Sequence, residues 1–387
     1  MFIEIDYTSS MSKPIIQTDV PPGFIDLGTG IPGLDLLPME MIASAAERYF
    51  SARDCRTLQY GAEQGNGLFL AALADFLTSN FGFSVTADKL LATTGASSTL
   101  DLLCTLFTQP GDTIIVEEPT YFLALGIFAD HHLKVHAIPM DREGLDIDAM
   151  EELLPQVQPK FVYTIPTFHN PASTTLSAKR REKLVSLAQE YDFIVIADEV
   201  YQFLAYNEEL PPPLAKFTDQ AEQVVSINSF SKILAPGLRL GWIQTHPKMI
   251  SRLVKCGLLE SGGGLNPFTS AIVYYLIESG DLAENIRMLH NKFRLRLKAM
   301  ASALDRYLPE VEYLQPQGGY YFWVRMPEKD TLQMRKLIRQ KSVDFRPGSL
   351  FSSQKAMKEY IRLSISYHEP EQIERGIQLL ALSLREQ

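Results

Sequence analysis

"SFSKILAPGLRLGW", residues Ser229–Trp242, sets two hydroxyls, one lysine and one arginine in an otherwise apolar stretch. It follows a β-like run, Val224, Val225, Ser226 and Ile227, and Pro236-Gly237 imposes a turn before Arg239. A solvated surface loop does not usually mix Ile, Leu and Trp with two cations and two serines. Two readings compete. In the plain structural one, this is a strand end whose Lys232 and Arg239 pair with carboxylates. In the other it is an anion site, for a phosphate above all, with a lysine placed to do chemistry.

Around this stretch, short β-rich runs alternate with helical patterns. "DTIIVEEP" (112–119), "KVHAIPM" (134–140), "FVYTIP" (161–166), "FIVIADEVY" (193–201), "QVVSINS" (223–229) and "RLGWIQ" (239–244) read as strands. Several lack polar alternation, as strands covered by helices on both faces do. Between two of them Leu184, Val185, Leu187 and Ala188 recur at helical spacing. This rhythm predicts an α/β layered domain with a mostly parallel sheet, and ligands in such sheets sit beyond the carboxyl ends of the strands. From about Asp281 the texture changes to one long amphipathic helix and the strands "GGYYFWVRMP" and "EYIRLSIS". We therefore expect a large domain over 45–280 and a smaller α+β domain from 1–44 and 281–387.

Composition narrows the function classes. The 387 residues are 46% hydrophobic and 21% charged, as in an ordinary globular protein. A formal charge of −10 argues against nonspecific nucleic-acid binding. Cys55, Cys104 and Cys256 are odd in number and far apart, which predicts neither a disulfide framework nor a metal site but a reducing cytoplasm. "MFIEIDYTSSMSKP" lacks the apolar core of a signal peptide, and no apolar run approaches the ~20 residues that cross a bilayer. His131, His132, His136 and His169 show no HExxH spacing, "GTGIPG" near Gly28 does not fit GxGxxG, and "GASST" lacks the last glycine of a hydrolase elbow.

The remaining polar residues make a set. In "TTGASSTLDLLCTLF" a glycine turn precedes Ser97 and Ser98 at the start of an apolar-periodic helix. Its free amides are a ready phosphate site, although serine N-capping explains the pattern equally simply. Tyr121 follows one strand end and could stack on a planar ligand or simply fill the core. Asn170 lies in another strand-end loop, where turn formation is the plain alternative. Asp198 ends a strongly apolar strand, where a carboxylate needs a cationic or protonated partner. A lysine, a phosphate cradle, a buried acid and a stacking ring are together what pyridoxal 5′-phosphate requires.

Taken in order, these residues resemble the class I/II, aspartate-aminotransferase-like fold-type I pyridoxal-phosphate enzymes, and the resemblance spans nearly the whole chain. "SFSKILAPGLRLGW" is similar to the family's S-x-S-K followed by G-x-R-x-G. The resemblance implies a three-layer fold and a Schiff-base lysine at Lys232, with Ser229, Arg239 and the amides of Ala96 and Ser97 on the phosphate. It further implies Tyr121 stacked on the ring, Asp198 on the ring nitrogen, and Asn170 and Tyr201 on the 3′ oxygen. Lys232, Asp198 and Tyr121 would be the catalytic residues. "QYGAEQGNGLFLAAL" implies that Tyr60 reaches the phosphate of a second subunit in a homodimer. "EYIRLSIS" implies that Arg362 takes the substrate α-carboxylate, with Gly30 and Asn170 also facing the substrate.

"PGLRLGW" and "LQYG" look closest to the 2-aminoadipate and kynurenine aminotransferase branch. Two departures stand out: "NPAS" replaces N-P-x-G, and serines occupy 97 and 98 where that branch often has glutamines. "SGGGLNPFTS" offers Asn266 for a partner-chain contact. The implied reaction is a ping-pong exchange of an amino group between an L-amino acid and a 2-oxo acid, without metal, nucleic acid or membrane. A broad or hydrophobic and aromatic preference is expected, with glutamate and 2-oxoglutarate as the amino-group couple. Other chemistries of the same scaffold, decarboxylase, lyase or synthase, stay open. A regulatory module with this cofactor should carry a DNA-binding domain, and only about 90 residues precede "TTGASS". A nicotinamide dehydrogenase lacks its glycine fingerprint.

Overall fold

The computed structural model describes residues 20–206 and 210–385, so the N-terminal stretch read for a leader lies outside the described residues. In chain order the strands are β1 (Ile25–Asp26), β2 (Leu90–Thr93), β3 (Thr113–Glu118), β4 (Lys134–Asp141), β5 (Gly144–Leu145), β6 (Phe161–Thr164) and β7 (Ile194–Asp198). They continue with β8 (Val224–Ser229), β9 (Gly241–Thr245), β10 (Glu312–Tyr313), β11 (Tyr321–Arg325), β12 (Val343–Asp344), β13 (Arg346–Pro347) and β14 (Tyr360–Ser364).

One sheet of eight strands has the order β2-β9-β8-β7-β6-β3-β4-β5. The inner strands pair in parallel, while β9 runs antiparallel to both β8 and β2, and β5 antiparallel to β4. Side chains alternate between the two faces because successive Cβ atoms point opposite ways. Ile114 and Val116 join one apolar cluster and Ile115 the other, so both faces are covered. Leu184, Val185, Leu187 and Ala188 of the helix Ala178–Tyr191 close the second face. The three-layer arrangement is the expected one.

The reversed direction of β9 is not visible in the sequence, and it matters. Parallel strands β3, β6, β7 and β8 deliver their carboxyl ends to one sheet edge. An antiparallel β9 delivers its beginning there, pairing Gly241 with both Ser229 and Thr93. The turn that carries Arg239 is thereby returned beside the strand that precedes Lys232.

The C-terminal part forms a four-stranded sheet, β10-β11-β14-β13, and two helices, Asp281–Tyr307 and Pro370–Arg385, that pack against each other. β1 pairs in parallel with β12, Ile25 to Val343 and Asp26 to Asp344, so the segment after residue 20 belongs to this neighbourhood. Four buried charges hold the joint. Arg335 donates to both oxygens of Asp344 at 2.6 and 2.7 Å, and Arg346 donates to both oxygens of Asp26 at 3.0 and 2.9 Å. Removing one member strands a buried charge, which costs about 3–5 kcal/mol. Asp344→Ala is therefore expected to lower the unfolding free energy by about that amount in a denaturant titration. A loss below about 1 kcal/mol would show the network to be dispensable.

Candidate active site

Lys232 lies in the turn after β8, and its Nζ donates to Gly30 O at 2.9 Å. Tyr320 steadies the same turn: its hydroxyl donates to Lys232 O at 3.2 Å, and its ring centroid is 5.4 Å from Nζ. Burial pushes the Lys232 amine below its ordinary range. Arg362 and Arg239 push the same way, against Tyr321 and Asp198. Among the described residues no carboxylate pairs with Lys232, and its Nζ hydrogen bond goes to a backbone carbonyl.

The helix Ala96–Phe107 is capped by Gly95 at φ 102°, a left-handed value that favours glycine, and no side chain caps it. Ser97 and Ser98 are therefore not N-caps. Ser98 Oγ turns back to Gly95 O at 3.0 Å and lies 2.7 Å from Thr94 Oγ1. The first amides of the helix, at Ala96 and Ser97, receive no capping side chain and can serve an anion. Arg239 reaches across to this end, with Nη2 donating to Thr94 O at 3.1 Å. A Cβ at Gly95 would lie 2.9 Å from that nitrogen, so glycine also makes room for the guanidinium. Asn266 donates from Nδ2 to Arg239 O. Ser229 is buried, and its hydroxyl pairs with Ser231 Oγ at 2.8 Å.

Asp198 ends β7 and is 7% exposed. Its Oδ2 accepts from Tyr163 at 2.8 Å, whereas Oδ1 has no partner. Burial pushes its pKa up to about 6, opposed by the hydrogen bonds from Tyr163 and the Val200 amide and by the charge of Lys232. An orphaned carboxylate oxygen at that depth fits a protonated ring nitrogen. Tyr163 was not singled out from the sequence. Its one signal is a phenol in the middle of the otherwise apolar strand β6.

Arg362 lies on β14, 3% exposed, opposite Trp323 and Arg346 in the sheet. Its Nη1 donates to Asn170 Oδ1 at 2.9 Å and Nη2 to Gly28 O at 2.7 Å, while Nε has no partner. Its guanidinium carbon stands 4.2 Å from the Tyr321 ring centroid and 4.9 Å from that of Phe351. Among the described residues no carboxylate pairs with it, unlike Arg346 beside it. Burial lowers its pKa first of all, and the charge of Arg346 adds to that.

Tyr201, buried, donates its hydroxyl to that of Tyr321 at 3.2 Å. Tyr121 precedes the helix Phe122–Asp130, and burial, with the Tyr321 and Asp198 charges, raises its pKa. Gly30 sits under the Tyr321 hydroxyl, which a Cβ there would meet at 2.4 Å. One sheet edge thus gathers Lys232, Asp198, Asn170, Tyr201, Ser229 and Arg239, with Arg362 and Gly30 closing from the C-terminal side. Tyr60 is 84% exposed. Tyr320 and Tyr321 were read only as strand residues. Among the described residues no group of three or more His, Cys, Asp or Glu side chains could hold a metal ion.

Comparison with known proteins agrees with this geometry. Residues 22–380 match the family described as aminotransferase class I and II. The chain is 34% identical to aromatic-amino-acid aminotransferase 1 of Thermococcus litoralis, over 94% of this chain and 88% of the relative. It is 29% identical to 2-aminoadipate transaminase of Thermus thermophilus, over 97% and 94% respectively. The structure of a Pyrococcus horikoshii kynurenine aminotransferase superposes with a TM-score of 0.87 at 32% identity, covering 94% of this chain and 91% of that one.

The buried Asp198 generates a pH prediction for the cofactor-free protein. Its folded pKa is raised, so the ionised form is penalised by burial, on the order of 3 kcal/mol. That penalty is absent near pH 4, grows as pH rises to about 6, and is complete above it. Cofactor-free Asp198→Asn should match the wild type in stability at pH 4 and exceed it at pH 8. Equal stabilities at both pH values, measured by denaturant unfolding, would contradict the assignment of strain to this carboxylate.

Proposed function

The chain belongs to the class I and II aminotransferases, and from that premise we propose that it moves amino groups between aromatic or kynurenine-type L-amino acids and 2-oxoglutarate. The observation that carries the reading is Arg362, a buried guanidinium with a free Nε and no carboxylate partner among the described residues. Every amino acid and every 2-oxo acid presents a carboxylate that fits it. The aromatic preference draws on Tyr321 and Phe351 beside that guanidinium and on the names of the Thermococcus and Pyrococcus relatives.

Pyridoxal 5′-phosphate is the cofactor, and when bound it supplies an electron-withdrawing ring that takes up the charge left at the substrate Cα. Asp198 would hold the proton on the cofactor's ring nitrogen, and its Oδ1 lacks a partner among the described residues. Lys232 would hold the cofactor through Nζ, and as a free amine Lys232 would be the base that takes the proton from the substrate Cα. Burial lowers its pKa, which favours the neutral amine that such a base requires. Arg239, Ser229 and the amides of Ala96 and Ser97 would hold the phosphate. Tyr121 would stack on the ring, and Asn170 and Tyr201 would hold its 3′ oxygen. Arg362 binds the α-carboxylate through its planar fork, beside Gly30.

The same reading makes 45–280 the cofactor-binding domain, with the carboxylate anchor on the smaller one. It also makes the enzyme a homodimer. Phe50, Leu58, Tyr60 and Phe268 are exposed, with the Phe50 and Phe268 rings 6.1 Å apart, and a second copy would bury them. No helix among the described residues is long and apolar enough to cross a membrane, and three free cysteines suit a reducing cytoplasm.

Arg362→Lys should lower kcat/KM by at least roughly tenfold, ~1.4 kcal/mol, in both half-reactions, because a point charge cannot copy the fork. Loss in one half-reaction only would sink the carboxylate assignment. The substrate class is tested by mixing the enzyme with each amino acid, aminoadipate and kynurenine, and following bleaching of the cofactor's visible band. Aromatic amino acids and kynurenine should bleach it fastest; a response confined to aminoadipate would overturn the aromatic reading.

A further inference from the structure

In "NPAS", residues 170–173, the fourth position is a serine whose backbone is left-handed, φ 61°. Glycine adopts that region freely, whereas a serine there is strained by its Cβ. Ser173 is 6% exposed, and its amide donates to His169 O at 2.7 Å, which closes a tight turn under Asn170. What the side chain gains for that strain is one contact: Oγ donates to the backbone carbonyl of Tyr321, across 148 residues of chain.

Tyr321 is not an arbitrary anchor. Its ring lies 4.2 Å from the Arg362 guanidinium carbon, and its hydroxyl accepts from Tyr201. The other end of the same turn holds Arg362 directly, through Asn170 Oδ1 at 2.9 Å. One four-residue segment therefore supplies the amide at the edge of the guanidinium and is tied to the backbone of the residue whose ring lies on its face. A glycine at 173 would keep the turn and lose the second support.

We propose that Ser173 is a positioning residue for the substrate carboxylate, tying the Asn170 turn to Tyr321 so that Arg362 is held from both sides. This rests on Arg362 being the carboxylate anchor. The carboxylate is bound in ground state and transition state alike, so loosening its receptor raises KM more than it lowers kcat. A glycine removes the hydroxyl and the backbone strain together, which separates positioning from stability.

The holoenzyme is compared with Ser173→Gly and Ser173→Ala, using L-phenylalanine and 2-oxoglutarate in separate half-reactions. Ser173→Gly should melt at or above the wild-type temperature and yet show KM raised about fivefold for both substrates, as loss of one hydrogen bond implies, with kcat within about twofold. Ser173→Ala should raise KM similarly and melt lower, since it keeps the strain without the bond. Unchanged KM in Ser173→Gly overturns the proposal and leaves the serine a local turn residue. Arg362→Lys is run alongside. If it raises KM and Ser173→Gly does not, only the positioning role falls; if neither raises KM, the carboxylate anchor falls as well.

Discussion

Two arginines face each other in the C-terminal sheet, Arg346 and Arg362, both nearly excluded from solvent. Arg346 is neutralised by Asp26 and Asp344. Among the described residues, Arg362 has only an amide oxygen, a backbone carbonyl and two aromatic rings. Holding a buried cation without an anion is expensive, several kcal/mol in a protein interior, and a fold tolerates it where a ligand brings the missing charge. Asp198 states the same constraint with the opposite sign, a buried carboxylate with one oxygen unpaired. The two uncompensated charges are most simply satisfied by one zwitterionic assembly, a protonated ring on one side and a carboxylate on the other.

The rest of the architecture serves to bring these charges to one place. Parallel strands bring Asp198, Asn170 and Lys232 to a common edge, and antiparallel β9 returns Arg239 to it. β1 carries the chain through Gly28 and Gly30 before the large sheet begins, and its pairing with β12 fixes their carbonyls against Arg362 and Lys232. The buried ions around Asp344 are thus structural on their own account and functional by position. They hold the segment whose carbonyls orient both the lysine and the arginine.

Much of this was legible in the sequence because polar residues at the ends of apolar strands are conspicuous. Lys232, Asp198, Asn170 and Arg239 each interrupt a hydrophobic run, and their order along the chain is specific. β14 was readable in finer detail still, since Ile361, Leu363 and Ile365 alternate with Arg362, Ser364 and Ser366 and fill the core as period two demands. β2 was not read as a strand, and the direction of β9 depends on pairing, not on composition. Serine capping of the helix Ala96–Phe107 was a fair expectation that failed, because Gly95 takes the cap in a left-handed conformation. Tyr163, Tyr320 and Tyr321 escaped notice for a common reason. Each makes its decisive contact with a residue at least 35 positions away, and in isolation each is one more aromatic in a strand. Ser173 was visible only as a departure from a motif; its hydrogen bond to Tyr321 gives that departure a physical meaning.

That these groups converge on a single cofactor is tested most directly by chemical trapping. The purified protein is mixed with pyridoxal 5′-phosphate, reduced with borohydride, digested, and its peptides are mapped by mass spectrometry. A single stable adduct on Lys232, lost in Lys232→Ala while the folded protein persists, is the predicted result. Absence of an adduct, or labelling spread over exposed lysines with Lys232 unmodified, would contradict it.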